Sequence, residues 1–188
     1  MDGLLTGTDF LQLFRDFEHT AQRLETRDFY LIPSEQPQFE QFLAGGPDDP
    51  DEAEKRAPWL DGVRAARAAG KRFERVRVAP EPLTPYLRFE LRGTNYNDDA
   101  GEDIRYLNRD LANCLDLPSH DYWIFDATRV APLYFTSDGR FLGAQVVTEP
   151  DVVQQHAHWV DLALQHAIPY QRYLAEGPTR QDPPSGDA

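Results

Sequence analysis

Near the start of the chain, apolar side chains recur at three- and four-residue steps. Phe10, Leu13, Phe14, Phe17, Ala21 and Leu24 share one face, which predicts a helix of about five turns. Thr8 is placed to cap it, and Asp9 sits at its positive end. Tyr30 to Ile32 reads as a short extended piece before Pro33, and Phe39, Phe42 and Leu43 as a second short helical stripe ending at Gly45-Gly46. A further helix is expected from Pro58 to Gly70, with Trp59, Val63 and Ala66 on its buried side.

The period then changes. Residues Phe73 to Val78 alternate apolar and charged side chains, the signature of a strand. Thr84-Pro85 has the form of a cap and first turn for a helix carrying Leu83, Tyr86, Leu87, Glu90 and Leu91. Strands are expected at Asp103 to Leu107 and Tyr122 to Asp126. Val130 to Thr136 and Arg140 to Thr148 read as a hairpin turning at Ser137-Asp138-Gly139, with Pro132 at an edge or bulge. The last helix starts at Thr148-Glu149-Pro150-Asp151 and lines up Val152, Val153, His156, Trp159, Val160, Ala163, Leu164 and Ala167. The reading is α/β: a mixed sheet flanked by helices, with a peripheral helical N-terminal region. Its parts are a helical region 1–46, an acidic linker 47–57, an α/β core 58–175 and a flexible tail 176–188.

Composition narrows the functional classes. The 188 residues are 40% hydrophobic, enough for one core but crowded for two domains. A net charge of -13 opposes wholesale binding to nucleic acid or to anionic membrane. The lone Cys114 excludes an intramolecular disulfide and any multi-cysteine metal site. No run approaches ~20 apolar residues and Met1-Asp2-Gly3 opens no signal segment, so a cytoplasmic protein is expected.

Candidate chemistry is sparse. Residues 55–92 hold ten Lys and Arg against Asp61, Glu74, Glu81 and Glu90. Arg75 and Arg77 step along a strand with Arg88 on the next helix, so their guanidinium forks are candidates for an anionic ligand or a partner. The competing reading is a salt-bridge network with Glu90, Glu102 and Asp103. Glu102, Arg105 and Tyr106 form an acid, arginine and tyrosine cluster that makes either a polar pocket or a buried network. His156 and His158 point about 200° apart on their helix, so no metal site is read from them. There is no Gly-x-Ser-x-Gly elbow and no phosphate loop, and no cofactor is expected.

His120 enters an apolar strand that ends at Asp126, an arrangement similar to the histidine motif of phospholipase D-type phosphodiesterases, His-x-Lys-x4-Asp. Tyr122 stands where that pattern has lysine, Asp126 arrives one residue early, and only one copy is present unless a homodimer supplies a second. The resemblance implies a degenerate relative of that fold with His120 not acting as a nucleophile.

Four segments, residues 70–78, 81–91, 101–107 and 121–126, together with Trp159 and Ala167-Ile168-Pro169-Tyr170, resemble an actinobacterial family of small uncharacterised proteins. Its members are often encoded near helix-turn-helix regulators, which implies a regulatory setting and carries no catalytic residues. The expectation is therefore a non-enzymatic protein that meets a helix-turn-helix regulator through an acidic surface, without touching nucleic acid itself or a membrane. The alternative is an enzyme or small-ligand binder for a phosphorylated or carboxylated molecule.

Overall fold

The computed structural model describes residues 3–47 and 49–177. Three strands run parallel at the centre of one sheet: β1 (Thr20–Glu25), β2 (Arg72–Ala79) and β3 (Asp103–Asn108). Beyond β1 the sheet continues antiparallel through β4 (Tyr122–Phe125), β5 (Arg129–Phe135) and β6 (Phe141–Ala144). The two-residue β7 (Ile168–Pro169) closes the far side against β3. The resulting order is β6-β5-β4-β1-β2-β3-β7.

Strand side chains alternate between faces, so this sheet needs two covering layers. Leu24, Val76, Leu107, Tyr122 and Ile124 pack on Val153, Val160 and Ala163 of helix α6 (Pro150–His166) and on Leu111 of the short α5 (Arg109–Cys114). On the other face Ala21, Phe73, Trp123 and Phe125 meet Leu13 of α1 (Gly7–Asp16) and Leu60 and Val63 of α3 (Glu52–Ala68). Helix α4 (Pro85–Ala100) lies on that same face further along, with Tyr86, Leu87 and Phe89 against Ile104 and Tyr106. Helices α2 (Gln36–Leu43) and α7 (Tyr170–Glu176) fill its flanks.

The α4 start forms as its sequence requires: Thr84 Oγ1 accepts from the Leu87 N–H, Pro85 occupies the first turn, and Gly101 ends the helix at φ 105°. The hairpin also closes where expected, with Gly139 at φ 90°.

Several expectations are corrected. The N-terminal region is not peripheral, because β1 is the fourth of seven strands, and the apolar stripe from Phe10 to Leu24 is helical only to Asp16. A central strand is buried on both faces, so β1 shows no clean alternation, and the spacing of Phe17, Ala21 and Leu24 merely continues the helical period. The stretch read as an acidic linker contains the start of α3 at Glu52, and Pro58 lies inside that helix. Pro132 sits in an interior strand. Its carbonyl accepts from Gln145 N, and its missing donor faces the place where regular β5–β6 pairing stops, while the bulge falls at Tyr134/Phe135. Trp159 is only partly buried. The expected tail begins with the last residue of α7, Glu176, and its residues 178–188 lie outside the described residues.

Candidate functional site

The face of the sheet under α1, α3 and α4 is apolar at one end and charged at the middle. In-register pairing places Arg23 beside both Arg75 and Trp123, and Glu25 beside Arg77, which in turn neighbours Tyr106. Like charges on adjacent strands repel unless each finds a counter-ion. Here Glu25, 2% exposed, supplies one: Arg23 Nη2 lies 3.1 Å from its Oε1, Arg75 Nη1 donates to the same oxygen at 3.1 Å, and Arg77 Nε donates to Oε2 at 2.7 Å. Arg75 also donates through Nε to Glu102 at 2.8 Å, and Arg77 through Nη2 to Glu90 at 3.2 Å. Burial acts to raise the Glu25 carboxyl, yet the three guanidiniums outweigh it and hold it well below the usual carboxylate range.

Above this floor the helices leave a cleft of about 420 Å³. Phe14 and Trp59 line it from α1 and α3, stacked edge-on against each other at 5.4 Å, and Trp123 completes that apolar end beneath the Arg23 and Arg75 guanidiniums. Tyr30 and Tyr86 also line the cleft, their ring centroids 6.2 Å apart. Leu11, Ile32 and Phe141 line the cleft while remaining exposed, which gives its mouth an apolar rim.

The walls are tied down. Asp121 accepts from Thr26 N at 2.8 Å, from Thr26 Oγ1 at 2.9 Å and from the Tyr30 hydroxyl, so the loop after β1 is fixed to the start of β4. Leu31 N donates to Gly139 O at 2.9 Å and docks the hairpin turn against that loop. A Cβ on Gly139 would lie 3.1 Å from Leu31 N, so the approach depends on glycine there.

Two features of the cleft stand apart from an ordinary salt-bridge network. Arg77 is 4% exposed and among the described residues its Nη1 has no hydrogen-bond partner, and on α4 the buried oxygens Glu90 Oε1 and Asn97 Oδ1 likewise have none there. Glu35, which caps α2 through its backbone, lines the cleft, and among the described residues only the Tyr86 hydroxyl donates to its side chain, at 3.4 Å. Burial first, then the Glu90 charge, pushes its carboxyl up to about 7, against the opposing pull of Arg56, the Tyr86 hydroxyl and Arg77.

Of the residues singled out from sequence, Arg75 and Arg77 line the cleft, Glu102 backs Arg75, and Tyr106 lies beneath, its hydroxyl 3.0 Å from Thr94 Oγ1. The others are elsewhere. Arg88 is exposed on the outer side of α4. Arg105 projects to the α6 face, where it pairs with Asp103 at 2.6 Å and donates to Leu164 O. His120 and Asp126 stand at opposite ends of β4. Asp126 accepts backbone N–H bonds from Glu18, His19 and Thr20 at 2.7 to 2.8 Å and is held below its usual range by those bonds against the cost of burial. His120 Nε2 lies 3.1 Å from His156 Nε2 on the α6 face, where burial and then the neighbouring imidazole lower it. The two groups therefore do not converge on a phosphodiester. Among the described residues no group of three or more His, Cys, Asp or Glu is arranged to hold a metal ion, and no helix is long and apolar enough to cross a membrane.

Arg23, Glu25, Glu35 and Trp123 belong to the cleft without having been singled out. The alternation Arg23-x-Glu25 repeats the Arg75-x-Arg77 period and was the available signal. Glu35 carries no such signal, since a loop brings it to α4. No curated protein matches the chain. Residues 8–175 match the family described as a domain of unknown function, DUF6879, and the chain belongs to that family.

Proposed function

We propose that this protein binds a small organic molecule in the cleft between the sheet and helices α1, α3 and α4. The observation that carries this reading is the pairing of an aromatic-walled cleft with a buried arginine whose Nη1 has no partner among the described residues. A volume of about 420 Å³ falls in the range of ligand sites, roughly 300–1,000 Å³, and such sites combine apolar walls with a few buried polar groups. Buried ion pairs contribute little net stability compared with apolar packing, so a charged floor is better accounted for by recognition than by folding. The regulatory setting implied by the family resemblance is compatible with it: an occupied cleft would change the Leu11, Ile32 and Phe141 rim offered to a partner protein.

The test is a thermal-shift screen of small aromatic acids, amines and neutral analogues on the wild type and on Gly93→Leu. Gly93 lines the cleft in mid-α4, and a side chain there would project toward Arg56 and reduce the space. Compounds are expected to stabilise the wild type and not the variant. Equal stabilisation of both would place binding outside the cleft and end the proposal.

A further inference from the structure

We infer that the molecule taken up by the cleft carries a cationic nitrogen, docked beside Glu35 and Glu90 on the α4 wall. The inference rests on the cleft being a ligand site and names what that site selects.

Four guanidiniums line the cleft, and all four are already matched by carboxylates of the chain: Arg23 by Glu25 and Asp121, Arg75 by Glu25 and Glu102, Arg77 by Glu25 and Glu90, and Arg56 by Glu52 at 2.8 Å. Glu35 is left over. Among the described residues no lysine or arginine forms an ion pair with it. Glu25, Glu35 and Glu90 line the cleft, and Glu52, Glu102 and Asp121 lie behind the lining against Arg56, Arg75 and Arg23, so these four arginines with the carboxylates they pair with, and Glu35, carry more negative than positive charge. In a partly dry cleft an excess of negative charge is relieved by a cation, or by a proton. A phosphorylated or carboxylated ligand would add to the excess.

Unmet hydrogen bonding on the α4 wall points the same way. Tyr86, Glu90, Gly93 and Asn97 follow one another at helical spacing along the wall of the cleft. The unpartnered atoms on this stripe, Glu90 Oε1 and Asn97 Oδ1, are both acceptors, and Asn97 is 8% exposed. An ammonium group supplies N–H donors for such oxygens, and the Tyr86 ring beside them adds a face that attracts cations.

Without ligand, the excess is relieved by protonation of Glu35 below about pH 7. The groups facing this carboxyl are Glu90 and Tyr86 from α4, Arg56 from α3 and Arg77 from β2. A cation arriving there displaces the proton, so binding releases it and strengthens as pH rises toward and past about 7.

Isothermal titration with three indoles of matched shape tests this: tryptamine as the cation, 3-ethylindole as the neutral form and indole-3-propionate as the anion. At about pH 8 tryptamine is expected to bind at least about tenfold more tightly than either analogue. Lowering the pH to about 6 should weaken it by up to about tenfold, with a buffer-dependent heat reporting the released proton. Glu35→Gln should abolish the pH dependence and bring tryptamine to the level of 3-ethylindole, while leaving 3-ethylindole unchanged. Tighter binding of indole-3-propionate, or tryptamine affinity independent of pH, overturns the inference and leaves the cleft a ligand site. Failure of all three indoles to bind overturns the cleft-binding reading and the inference with it.

Discussion

At the scale of single residues, Glu25 is the hub of the charged floor, since three guanidiniums from two strands converge on one buried carboxylate. Removing one member of a buried ion-pair network leaves the others uncompensated, at a cost of about 3–5 kcal/mol. Glu25→Ala is therefore expected to lower stability in urea by that amount, and a loss under about 1 kcal/mol would mean that water entering the cleft already solvates the arginines. Its carboxyl is held low in the folded protein, so its contribution is complete above the ordinary unfolded value and is lost as acid protonates it. Glu35 has the opposite sign. Its folded value, raised from 4.5 to about 7, makes the protein lose stability as pH climbs between those two values. Glu35→Gln should accordingly stabilise at about pH 8, by up to about 3 kcal/mol, and change little at about pH 4, as thermal melts at both would show. Arg75 and Arg77 were legible because their strand alternates cleanly, whereas Glu35 gains its meaning from Glu90 and Tyr86, more than fifty residues away in sequence.

Among the elements, β1 decides the architecture, since it pairs parallel with β2 and antiparallel with β4 and so joins the two halves of the sheet. Deletion of residues 1–27 is expected to abolish cooperative unfolding, which circular dichroism melts and limited proteolysis would reveal. A shortened chain that still melted cooperatively would mean that β2 and β4 can close the gap themselves. The segment before α1 is also fixed, because Leu5 exchanges two backbone hydrogen bonds with Ala144, of 2.7 and 3.0 Å. Gly143 permits this approach: it has φ 142°, and a Cβ there would lie 2.7 Å from Leu4 Cβ. Gly143→Ala should release that segment and raise amide exchange at Leu5, while leaving protection in β2 intact. Elements announced by local chemistry were readable in advance, as with the Thr84-Pro85 cap and the turn at Gly139. The central strand was not, because Thr20 to Glu25 is short and flanked by a helical stripe whose period runs on into it.

For the molecule as a whole, the mixed sheet covered on both faces follows from the order of helical and strand periods, and that much of the fold was visible in the chain. The cleft was not, because its lining spans Phe10 to Phe141 and depends on in-register pairing of β1, β2 and β4, which no local pattern encodes. The arrangement also divides the three tryptophans: Trp59 and Trp123 line the cleft, while Trp159 packs with His120 and His156 on the opposite face of the sheet. Their indole N–H signals thus report on the two faces separately. The most direct measurement is a titration of ¹⁵N-labelled protein with unlabelled tryptamine, followed through these three resonances. Binding in the cleft predicts saturable shifts of the Trp59 and Trp123 signals with Trp159 unmoved. Shifts confined to Trp159, or no shift at Trp59 and Trp123 at saturating tryptamine, would contradict it.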